Sequence, residues 1–82
     1  MNNQRTIEET ILLKKTKQDK NGNDYLILEL ENSEVIFVFP SKVKKSRWDN
    51  LKEKQKYEFM VQESNNGSNL LIDFADNSTI FA

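Results

Sequence analysis

The side chains here that could do chemistry are cations and flat rings, and the cations are clustered. Between Lys42 and Lys56, seven bases (Lys42, Lys44, Lys45, Arg47, Lys52, Lys54 and Lys56) stand against two acids, Asp49 and Glu53, a local balance of +5. Between Lys14 and Lys20, four lysines (Lys14, Lys15, Lys17 and Lys20) stand against Asp19, a balance of +3. The whole chain of 82 residues carries only −1, so the remaining segments are acidic and the surface is polarised. A polarised surface can steer an anionic polymer even when net charge is near zero. Single-stranded nucleic acid needs two things from a protein: cations along its phosphates and exposed rings against which bases stack. Tyr25, Phe37 and Phe39 are the candidate rings.

Other chemistries lack their groups. With no histidine and no cysteine, the chain lacks the usual general base, the thiolate nucleophile and the common zinc ligands. Carboxylates occur at Glu8, Glu9, Glu29, Glu31, Glu34, Asp73 and Asp76, but no pair has a spacing that would hold two of them around a substrate. The two glycines, Gly22 and Gly67, both follow asparagine in turn signals, which leaves none for a phosphate-cradling loop. A non-catalytic protein without cofactor or metal is the expectation.

The elements that must position these residues follow from hydrophobic period. It is two almost everywhere, the signature of strands. Ile7 to Lys17 reads as a long first strand anchored by Ile7, Ile11 and Leu13. Tyr25 to Leu30 alternates, with Leu26, Leu28 and Leu30 on one face. Val35 to Phe39 is apolar on both faces, so Phe37 and Phe39 are either core, with Ile36 and Val38 outward, or the reverse. A tyrosine placed like Tyr25 is more often a half-buried edge aromatic than a base-stacker. Tyr57 to Gln62 places Tyr57, Phe59 and Val61 inward, and Leu70, Ile72 and Phe74 repeat the pattern in a fifth strand. Asn21-Gly22 and Asn66-Gly67 supply the positive φ angles of tight hairpins, and residues 31–34 form a polar turn. The one long gap, from Pro40 to Lys56, holds a helix expected at about residues 46–55. Ser46 and Asp49 have capping spacing there, and Trp48 and Leu51 share a face.

A β-β-β-α-β-β order with a long first strand and a helix between the third and fourth strands resembles the OB-fold, over roughly Ile7 to Phe74. The resemblance implies an all-β domain with one short helix, a five-stranded barrel plugged at one end by Trp48 and Leu51. It also implies a ligand, nucleic acid or oligosaccharide, lying across strands two and three and flanked by the loops that join strands one to two and four to five. An SH3-like barrel, or an open five-stranded sheet with one helix, also meets the pattern. Residues 1–82 are expected to form a single domain with its core at about 6–74 and a tail at 75–82.

The resulting expectation is a single-stranded DNA- or RNA-binding protein with little sequence preference, acting alone or as an accessory to a polymerase or helicase. Tyr25, Phe37 and Phe39 would stack on bases, and Lys14, Lys15, Lys17, Lys42, Lys44, Lys45 and Arg47 would meet phosphates. The alternative is a protein-interaction module that buries Phe37 and Phe39 against a partner. The acidic tail ending in Ile80-Phe81 is similar to the partner-recruiting tails of bacterial single-strand-binding proteins; otherwise those two residues pack back on the barrel. No apolar run approaches the ~20 residues of a membrane span, and the N-terminus lacks a signal-peptide core. A cytoplasmic location away from membranes is expected, with oligomeric state open.

Overall fold

A computed structural model describes residues 4–76; the C-terminal segment 77–82, including Ile80 and Phe81, lies outside the described residues. Five strands and one helical turn occur in the order β1 (Gln4–Gln18), β2 (Asp24–Leu30), β3 (Val35–Val38), α1 (Lys45–Trp48), β4 (Lys56–Glu63) and β5 (Asn69–Asp76). They close into a barrel, β1-β2-β3-β5-β4, with β4 returning to pair with β1. All pairings are antiparallel except β3 with β5, where Ile36 lies opposite Asn69 and Phe37 opposite Leu70. The fold is therefore the all-β, OB-like barrel expected from the order of the elements.

Closure depends on β1 serving two neighbours. Its first half, Gln4 to Thr10, pairs with β4, and its second half, from Ile11 to Gln18, pairs with β2. No glycine assists the bend. A bulge does, since the register shifts between Ile11 and Leu13. This also corrects one expected anchor. The extra residue flips the alternation, so Ile7 and Ile11 are buried while Leu13 points outward and is 38% exposed.

A second bulge corrects the fifth strand. The β4–β5 register shifts between Met60, opposite Asp73, and Val61, opposite Leu71. Leu71 is fully buried in place of the expected Leu70 and Ile72, and Phe74, beyond the bulge, packs against the core from a partly buried position. The interior otherwise follows the alternation, with Leu26, Leu28, Leu30, Ile36, Val38, Tyr57, Phe59 and Val61 buried.

One end of the barrel is plugged by Val43, Trp48 and Leu51, all within the core cluster. The helix is a single turn, shorter than the expected 46–55, and Ser46 does not cap it. Its N-cap is Lys44, which makes no side-chain capping bond. Beyond Trp48 the chain tightens through three-residue bonds, Asn50 N–H to Arg47 O (3.1 Å) and Leu51 N–H to Trp48 O (3.0 Å). Tyr57 then holds the turn into β4, its hydroxyl donating to Asn50 O (2.6 Å) and accepting from Lys52 N–H (2.8 Å). Lys54 takes a left-handed φ of 68° in that turn. A longer helix would carry the chain past the β4 entry. No described helix is long and apolar enough to cross a membrane.

Candidate nucleic-acid interface

Burying Leu26 on β2 and Ile36 and Val38 on β3 forces their neighbours outward, because side chains alternate along a strand. Tyr25, Phe37 and Phe39 therefore sit together, half-buried, on the outer face of β2 and β3. Tyr25 stacks on Phe39 with ring centroids 5.4 Å apart and planes at 27°, and it meets Phe37 at 6.5 Å and 41°. The three rings line a groove of about 370 Å³. Its other walls are Leu70 at the start of β5 and Ser64, Asn66 and Ser68 from the β4–β5 turn.

Those four residues were not singled out in the sequence. Asn66 read only as half of a turn dipeptide, and Leu70 as core. The signal that could have found them is the parallel β3–β5 pairing, which sets Leu70 beside Phe37 and brings the β4–β5 turn over the rings.

The cations divide into two groups. Lys17 lies opposite Tyr25 on the same outer face, and Lys15 lies opposite Ile27. Lys15 also pairs with Glu29 (3.1 Å), where both side chains remain largely solvent-exposed. Lys20, in the β1–β2 turn, and Lys42 and Lys44, in the segment leaving β3, are exposed. Among the described residues, the side chains of Lys17, Lys20, Lys42 and Lys44 make no ion pair or hydrogen bond. The backbone N–H of Lys42 donates to Phe39 O (3.0 Å), which holds that lysine's segment against the last ring of the platform.

Three of the expected phosphate contacts are engaged elsewhere. Lys14 lies opposite the inward residue Leu28, not beside Lys15 and Lys17. Its ammonium donates to Trp48 O (2.8 Å), and its backbone N–H donates to Glu53 Oε2 (2.9 Å), tying β1 to the plug. Lys45 bonds Asp24 (2.8 Å) and lies 5.9 Å from the Trp48 ring centre. Arg47 bonds Asp73 (2.9 Å) and covers the Phe74 ring at 4.6 Å. The Lys45 bond, followed by one from Gln18, holds Asp24 below the usual carboxylate pKa. The Arg47 bond, followed by the Phe74 backbone N–H, does the same for Asp73. Both acids are thus charged at neutral pH and neutralise cations that would otherwise be free.

At the opposite end from the plug, Arg5 bonds Glu34 and lies 3.4 Å from Asn69 Oδ1, while Asn69 Nδ2 donates to Val35 O (3.3 Å). Asn69 is the one buried polar side chain of the described residues, and these bonds satisfy it. Among the described residues, no group of three or more acidic side chains is placed to hold a metal ion. No protein-family model and no curated protein sequence matches the chain.

Proposed function

We propose that this protein binds single-stranded nucleic acid, DNA or RNA, on the outer face of β2 and β3 and performs no catalysis. The observation that carries this reading is the grouping of Tyr25, Phe37 and Phe39 in one open groove, with Lys17 opposite Tyr25 across the sheet and Lys42 held by its backbone to Phe39. The rings offer a stacking surface to an unpaired base, and phosphates run past Lys17 and Lys20 on one side and Lys42 and Lys44 on the other. Lys15 joins them when it exchanges Glu29 for a phosphate. Backbone charge and stacking together give affinity with little dependence on long sequence motifs. Acting beside a polymerase or helicase in the cytoplasm, such a domain would help its partner grip an unwound strand.

Titration of a labelled single strand and its duplex, followed by fluorescence anisotropy at low and moderate salt, tests this. Binding at micromolar or tighter affinity that prefers the single strand and weakens with salt is the expected result. Absence of binding to either form at low salt overturns it. One observation favours a second use of the barrel as a protein-docking module: the β1 bulge leaves Leu12 52% and Leu13 38% exposed. Leu13 lies opposite Glu29 on the same outer face, so a protein partner would compete with the nucleic acid.

A further inference from the structure

The β4–β5 turn is held by its own side chains in a way that leaves one set of donors unused. Ser64 Oγ donates to Asn66 Oδ1. The backbone N–H of Ser68 donates to both Asn66 Oδ1 and Ser64 Oγ, each at 3.2 Å. Gly67 closes the turn with a φ of 85° and donates to Ser64 O (3.0 Å). A backbone N–H can only donate, so the end of the Asn66 amide that it meets must be the oxygen. The other end, Nδ2 with its two hydrogens, has no partner among the described residues, and neither does the Ser68 hydroxyl. Both residues line the aromatic groove. The groove thus combines flat apolar rings with an oriented amide donor and a hydroxyl that can donate or accept.

We propose that this groove holds one unpaired base and reads a carbonyl oxygen on it through Asn66 Nδ2, so that thymine- or uracil-rich strands bind more tightly than adenine-rich ones. This rests on the nucleic-acid reading of the same face and adds a preference of composition to it. Tyr25 and Phe39 stack on each other and so spend one ring face apiece on that contact, which makes the platform a seat for one base beside Phe37 and not for three in a row. Thymine and uracil present two carbonyl acceptors on either side of one N–H. Asn66 Nδ2 donates to one carbonyl, and the Ser68 hydroxyl accepts the N–H or donates to the second. Adenine has no carbonyl, and its ring acceptors N1 and N7 each flank the amino group, whose partner in an asparagine pair would be Asn66 Oδ1, already held by Ser64 Oγ and the Ser68 N–H.

The test compares affinities of the full chain for short labelled oligothymidine and oligoadenosine by anisotropy at low salt. The wild-type protein is expected to favour oligothymidine by at least about fivefold, the lower end of what a good base-edge contact supplies. Adenosine strands also stack on themselves, so the decisive arm is Asn66→Asp. That variant keeps the Oδ1 acceptor and the turn but replaces the amide donors with a carboxylate oxygen. Its added charge weakens both strands alike, while the ratio between them is expected to fall severalfold, with circular dichroism confirming the fold. Equal wild-type binding of the two strands overturns the preference, as does a ratio that survives Asn66→Asp. Failure to bind either strand overturns the nucleic-acid reading itself.

Discussion

At the scale of single residues, the three rings of the platform are not equivalent. Phe37 meets Tyr25 at an angle, whereas Tyr25 and Phe39 are stacked, so truncating Phe39 would also release Tyr25. Phe37→Ala is the cleaner probe, and it is expected to weaken single-strand binding by ~1–3 kcal/mol, about one to two decades in Kd, as measured by anisotropy. Tyr25→Phe keeps the ring and is expected to change affinity by less than about twofold. The lysines of β1 separate just as sharply. Lys17→Ala should lower the salt dependence of binding by about one unit of slope without changing the melting temperature. Lys14→Ala should do the reverse, because its ammonium holds the Trp48 carbonyl and not the solvent edge. That division could not be read from sequence. Strand alternation placed Tyr25, Phe37 and Phe39 within one choice of face, but it could not show that Lys45 and Arg47 answer Asp24 and Asp73, which lie 21 and 26 residues away. A run of like charge reveals its sign locally, and its freedom only when distant strands are in place.

At the scale of elements, what was legible was whatever local chemistry dictates. Asn21-Gly22 and Asn66-Gly67 marked their hairpins because glycine takes a positive φ without strain, and both glycines do so, at 82° and 85°. The bulges left no such mark, since neither Leu12 nor Ile72 differs in type from an ordinary strand residue. Their effect can be measured. Leu71→Ala removes a fully buried side chain from the core and is expected to cost ~2–5 kcal/mol in denaturant unfolding. Ile72→Ala, at the residue that the alternation nominated, should cost well under half of that. The helix was overestimated for a related reason. Ser46 and Asp49 have capping spacing, but the chain has to reverse at Lys54 to enter β4, and Tyr57 and Glu53 hold it in that reversal. Trp48 remains the element's purpose: it is 6% exposed, with its indole N–H bonded to Val43 O (2.9 Å). Trp48→Ala is expected to cost ~3–5 kcal/mol in denaturant unfolding, a large share of the stability of a domain of this size.

At the scale of the whole molecule, the barrel is fastened by ion pairs that join segments far apart in the chain: Arg5 to Glu34, Asp24 to Lys45, and Arg47 to Asp73. Each lowers its carboxylate's pKa, Glu34 chiefly through the Arg5 bond. A depressed folded-state pKa means that the unfolded chain binds the proton first. The stabilisation is therefore complete above the ordinary carboxylate range, about pH 4, and is lost as pH falls through the lower folded-state values. With no histidine in the chain, no side-chain type present has an ordinary pKa between about 5 and 8. The melting temperature followed by circular dichroism is accordingly expected to be flat from about pH 5.5 to 8 and to fall only below about pH 4. All three pairs are largely at the surface, so raised salt should shrink the acid-dependent part more than the plateau. Combining Glu34→Gln with Asp73→Asn should flatten the acid limb without moving the platform rings. A melting temperature that changed steeply near neutrality in the wild-type protein would show that some group other than these carboxylates fastens the barrel.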